Sequence, residues 1–150
     1  MSRKRDTWLS RIKAVEREHA AVRFATNRLL EEAEHDPTVI KINVSLREIR
    51  NASGRLEGTY VVRLFAEFES GLRSCWSAVR GTDPPSRAVD LVNGTAARHA
   101  IPHDYIENIH AVRNSRNDLV HKRVEVGEPI SIAKARGDVC RFFGFLPPDW

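Results

Sequence analysis

The sequence predicts an all-α fold, an antiparallel bundle of five to six helices. Two observations lead there: apolar residues recur at three- and four-residue steps along most of the chain, and the breaks between these runs are short and carry Pro or Gly. A third agrees. Residues 39–44 alternate in the manner of a strand, but no second strand offers them a partner. Amphipathic helices joined by short loops pack as antiparallel neighbours around one core.

The first helix is expected over residues 6–34. Trp8, Ile12, Val15, Val22, Leu29 and Leu30 form its apolar stripe, Asp6 or Thr7 is its N-cap, and Asp36-Pro37 ends it because proline cannot continue a helix. Residues 38–53 read as an extended linker into a short helix capped by Ser45, with Asn51-Ala52-Ser53-Gly54 as the break. The strongest periodicity covers residues 55–80. Leu56, Tyr60, Leu64, Phe68, Leu72, Cys75 and Val79 share one stripe, widened by Phe65 and Trp76, which makes this the central helix. The run from Gly81 to Pro85 stops it. Ser86 then caps a shorter helix to about His99, and Pro102 opens another that reaches His121. Residues 130–143 form the last, with Gly137 as a soft point.

At 150 residues the chain suffices for one domain over 1–150, which would bury about 68–70% of its unfolded surface without disulfides or a metal. With 41% apolar and 29% charged residues, it is not a long disordered tail. Cys75 and Cys140 lie among apolar neighbours without a partner at metal-ligand spacing, so they read as reduced, buried thiols. No apolar stretch follows the basic amino terminus as a secretory signal requires, and none approaches the roughly 20 residues of a membrane span. A reducing cytoplasm is the expected compartment. The net charge of +4 is a mild bias towards polyanions. The Arg-rich amino terminus reads either as a solvated, frayed end or as an RNA-contacting arm.

The helix over residues 102–121 carries the chemistry. At about 100° per residue, Tyr105, Ile109, Val112, Leu119 and Val120 fall within one arc that should face the core. Arg116 falls near the middle of that arc, where a guanidinium needs a partner to offset its lost hydration. Beside the arc runs a polar stripe of His110, Arg113, Asn117 and His121. Two accounts stand side by side. In the structural one, Arg116 reaches solvent or pairs with Glu57, Glu67 or Glu69, and His121 ends the helix where an imidazolium suits the dipole. In the functional one, the local rule broken at Arg116 marks a site.

Arg116, the polar Asn117 after it, and His121 beyond four intervening residues resemble the R-x(4–6)-H motif of the HEPN superfamily. That motif lies near the end of a late helix in an all-α bundle. Its diagnostic residues here are these three, while the helical architecture agrees over most of the chain. The resemblance implies a HEPN-like bundle and a metal-independent endoribonuclease that needs no cofactor. It implies a homodimer, with both copies' Arg116 and His121 lining one cleft. The RNA's own 2′-hydroxyl would attack the adjacent phosphate, leaving a 2′,3′-cyclic phosphate and a 5′-hydroxyl. His121, of a residue type with a reference pKa of about 6.5, would move the proton. Arg116 would stabilise charge on the phosphorane, and Asn117 would orient either group. Arg113, Lys122 and Arg123 are the expected substrate-binding residues.

A toxin or anti-phage effector restrained by an antitoxin or regulatory protein is the implied role. Where HEPN toxins are controlled by a nucleotidyltransferase the motif often continues as H-x-Y, and Arg123 departs from that pattern. The alternative is a non-catalytic HEPN-like module that binds RNA or protein. A purely structural bundle is the third reading. His99, His103, His110 and His121 match no metal-binding spacing, and no Gly-rich phosphate loop, nucleophile elbow or dinucleotide fingerprint is present.

Overall fold

The computed structural model describes residues 3–41, 43–121 and 129–150. Its architecture is the expected all-α bundle. α1 spans Lys4–His35, α2 Leu46–Arg80, α3 Ala88–Arg98, α4 His103–His121 and α5 Ile132–Phe143, and a 3-10 turn, Pro37–Val39, follows α1. No helix among the described residues is long and apolar enough to cross a membrane.

α1 and α2 form a long antiparallel hairpin, as their pairings show by stepping in opposite directions. Arg11 meets Glu67 at 2.9 Å, Glu18 meets Arg63 at 2.8 Å, and Arg23 donates to the Ser53 carbonyl at 3.3 Å. α1 starts earlier than the sequence suggests, and neither Asp6 nor Thr7 caps it: the N-cap is Arg3, with no side-chain cap bond. The other end of the chain explains this. The Arg5 amide donates to the Pro148 carbonyl at 3.1 Å, and the Lys4 amide donates to Asp149 Oδ1 at 3.0 Å. Unsatisfied N–H groups of a first helical turn thus find partners in the carboxy-terminal segment. Arg5 also donates its Nη1 to the Leu146 carbonyl at 2.9 Å, so the described part of the amino terminus is docked rather than frayed. Asp36 does end α1, and its Oδ1 accepts from the Thr38 amide at 3.0 Å to cap the 3-10 turn, which the periodicity did not foresee.

Ser45 caps α2 as expected, with a full capping box. Its Oγ accepts from the Glu48 amide at 3.2 Å, and Glu48 Oε2 accepts from the Ser45 amide at 2.7 Å. The expected break at Asn51-Ala52-Ser53-Gly54 is absent: α2 is one continuous helix. Asn51, Ser53 and Gly54 are poor helix formers relative to alanine, by up to about 1 kcal/mol each. Packing along α1 outweighs that, and the Arg23 bond to Ser53 holds the weakest stretch in place. Gly81, at φ 66°, closes α2 in the left-handed region that glycine enters freely.

The core lies where α2 meets α1, α4 and α5. Phe68 is fully buried, with the rings of Phe65, Phe142 and Phe143 at centroid distances of 5.6, 5.5 and 6.0 Å. Leu64, Leu72, Leu91, Ile12, Ile109 and Val139 complete it. Cys75 is buried and its thiol is pushed up to about 11 by desolvation; Cys140 is half-buried and raised for the same reason. Both stay protonated at neutral pH.

Two further expectations change. Ser86 does not cap α3; Arg87 occupies the N-cap position without a side-chain bond. The Ser86 carbonyl instead accepts from Arg73 Nη2 at 3.0 Å, so α2 sets where the connection ends. α5 begins at Ile132, capped by Ser131 Oγ accepting from the Lys134 amide at 3.2 Å, and it runs through Gly137 without interruption.

Candidate active site

α4 is anchored at its first half and released at its second. The Pro102 carbonyl accepts from the Tyr105 and Ile106 amides, and Ile109 and Val112 are fully buried. Leu119, two turns further, is half-buried over Gly58 of α2. Val120 departs from the expected arc: it is 52% exposed. Val120 lies at the edge of that arc, in the last turn of α4, which ends at His121.

Arg116 sits at the seam of α4 and α2. Its Cζ lies 5.0 Å from the centroid of the Phe65 ring, and its Nη2 lies 3.7 Å from Glu69 Oε2. Glu69 is shared, since Arg73 Nη2 donates to its Oε1 at 2.8 Å, and Arg73 Nη1 reaches on to the Pro85 carbonyl at 2.6 Å. At 3.7 Å the Arg116–Glu69 contact is an ion pair and not a hydrogen bond. The guanidinium is therefore held by charge and by the aromatic face, while its side chain keeps 26% exposure. Its Nε is buried without a hydrogen-bond partner among the described residues.

The three carboxylates open to Arg116 in the sequence take three different jobs. Glu57 Oε1 accepts from the Ile132 amide at 3.0 Å and so fixes the start of α5. Glu67 pairs with Arg11 of α1. Glu69 alone meets Arg116. The Phe65 platform and the Arg73 relay behind Glu69 went unread; the four-residue step from Glu69 to Arg73 was the visible signal.

The polar stripe of α4 grades from half-buried to open. His110 is half-buried, with Nε2 2.8 Å from Asn93 Oδ1 of α3, and burial first, then the charge of Arg113, pushes it below the usual imidazole range. Arg113 and Asn117 are half-buried, and Arg113 Nε has no hydrogen-bond partner among the described residues. His121 is exposed at the last position of α4. Arg116 and His121 sit about 140° apart around the axis and about 7.5 Å apart along it, so one copy of α4 does not aim both at one atom. Lys122 and Arg123 lie outside the described residues. Among those residues, no group of three or more His, Cys, Asp or Glu side chains is placed to hold a metal ion. Comparison with protein-family models, with curated proteins and with solved structures finds no match to the chain.

Proposed function

We propose that the chain is a HEPN-like, metal-independent endoribonuclease. The observation that carries the reading is the state of Arg116: a guanidinium on an aromatic face, a quarter exposed, with Glu69, its carboxylate partner among the described residues, beyond hydrogen-bond distance. Such a group is fixed in position yet keeps its donors for a phosphate. His121, exposed five residues on, is open to a substrate or to a second chain. Neither head group is sealed inside its own protomer.

In this reading two copies meet along α4, so that Arg116 of one and His121 of the other face the same diester. The exposed Val120 would be covered by that contact. The 2′-hydroxyl of the RNA attacks the adjacent phosphorus, the 5′-oxygen leaves, and a 2′,3′-cyclic phosphate and a 5′-hydroxyl result. His121 takes or gives the proton, Arg116 compensates the added charge, and Asn117 and Arg113 orient and bind the strand. Lys122 and Arg123 extend the basic run in sequence. Activity of this kind fits a toxin or anti-phage effector held in check by an antitoxin or regulatory protein. The test is labelled RNA incubated with purified protein, with and without EDTA. Cleavage that survives chelation and leaves cyclic-phosphate ends supports the enzyme.

One observation favours a second reading, a binding module without turnover: Glu69 already supplies Arg116 with a counter-charge. Retention of RNA without cleavage of any RNA would select it.

A further inference from the structure

Away from α4, helices α2 and α3 face each other across a narrow cavity. Its polar lining is Trp76 and Arg80 from α2, Thr95 and Arg98 from α3, and His99 at the end of α3. Steps of three and four residues put each set on one helix face. The enclosed part is about 10 Å³, room for one water-sized group, and it opens to the surface. Thr95 is only 3% exposed, and neither its Oγ1 nor Trp76 Nε1 has a hydrogen-bond partner among the described residues. Both residues line the cavity, and two buried polar groups without partners are a standing cost.

The lining has one chemical sign. Arg80, Arg98 and Trp76 can only donate; Thr95 can donate, and His99 can donate through a protonated ring nitrogen. Among the described residues no carboxylate lines the cavity. Arg80 is fixed there, its Cζ 3.9 Å from the Trp76 ring centroid and its Nη2 donating to the Gly94 carbonyl at 2.9 Å, which uses one of five guanidinium donors. Gly94 makes the approach possible, because a Cβ there would stand 2.6 Å from the indole. His99 sits below the usual imidazole range through burial first, then the charges of Arg98 and Arg80. Both guanidinium charges thus bear on this spot.

We propose that the cavity is an anion site for a phosphate group. One oxygen enters to accept from Trp76 Nε1 and Thr95 Oγ1, and the others face Arg80 and Arg98 at the mouth. The site is separate from the α4 motif and stands whether or not the chain cleaves RNA. The phosphate is either a monoester or a backbone diester of RNA.

The test follows the indole N–H signal of Trp76 in ¹H–¹⁵N spectra of the full chain, titrated with inorganic phosphate against sodium chloride at matched ionic strength. A saturable shift with phosphate alone is expected. Thr95→Val and Arg98→Ala should each weaken it by about tenfold to a hundredfold, the worth of one bond to a charged group. Arg98 is exposed, so Arg98→Ala keeps the fold even if Thr95→Val does not. A signal that phosphate leaves unmoved, or that chloride moves equally, overturns the proposal and leaves the cavity to a buried water. Undiminished binding in Arg98→Ala also overturns it. Short RNAs with a 5′-phosphate or a 5′-hydroxyl, added to the His121→Ala chain to prevent cutting, then separate the sources. A preference for the first assigns a terminal monoester, and equal binding assigns the backbone.

Discussion

α2 presents the rings of Phe65 and Trp76 to guanidinium groups, and the surroundings of these two pairs differ in kind. At Phe65, Arg116 shares Glu69 with Arg73, so two positive charges meet one negative charge. At Trp76, Arg80 stacks closer, at 3.9 Å against 5.0 Å, and the cavity beside it is lined by donors without a carboxylate. The first seam has its counter-ion built in; the second has none among the described residues. An internal carboxylate steadies a cation for a transient charge, as a transition state presents, whereas a cationic, donor-rich lining suits a resting anion.

Five measurements test that contrast. His121→Ala should lower the rate of RNA cleavage by about 10²–10⁴ while leaving the melting temperature within error, since the side chain is exposed and at a helix end. Equal rates would remove the catalytic assignment and leave Arg116 as an internal ion-pair partner. Phe65→Ala removes the platform of the first seam. Its side chain is 1% exposed, so urea titration should show a loss of about 3–5 kcal/mol.

Gly94→Ala forces the Trp76 ring away from α3 at the second seam. That overpacking should cost about 1–3 kcal/mol and displace the indole N–H signal; an unchanged spectrum would mean that the ring has room the geometry denies. Glu69→Gln keeps the shape and removes the counter-ion. A loss of about 1–2 kcal/mol is expected, together with tighter retention on a phosphate resin, because Arg73 and Arg116 are left uncompensated. Unchanged retention would show that Glu69 does not restrain them.

The smallest effect is on pH dependence. His99 and His110 both lie below the usual imidazole range. The unfolded chain therefore binds protons first as pH falls through about 6.5, so their contribution to stability is whole above that pH and is lost below it. Denaturation midpoints should fall between pH 7 and pH 5, and less steeply in His110→Gln. A slope that the substitution does not alter would place the titration elsewhere.

Much of the fold was legible because it follows from local rules. The apolar stripe of residues 55–80 became the core wall of α2, Ser45 is a cap though of one long helix rather than a short one, and Gly81 closed it. The errors fell where distant chain segments intervene. The Ser53 carbonyl is bonded by Arg23 of α1, and the Ser86 carbonyl by Arg73 of α2. The site was half legible. Periodicity marked Arg116 as out of place, but three glutamates competed for it with nothing in their spacing to decide among them.

The chain's own letters determined that it would be helical, where most helices end, and which helix would carry a guanidinium against the grain. Period, caps and proline act within a few residues, so a linear text contains them. Only the packed structure chose Glu69 for Arg116, seated Phe65 beneath it, turned Val120 outward, and closed Thr95 and Trp76 around a cavity with donors and no acceptor charge. Those outcomes depend on the register at which helices far apart in sequence slide together. That register is a property of the whole core, not of any segment.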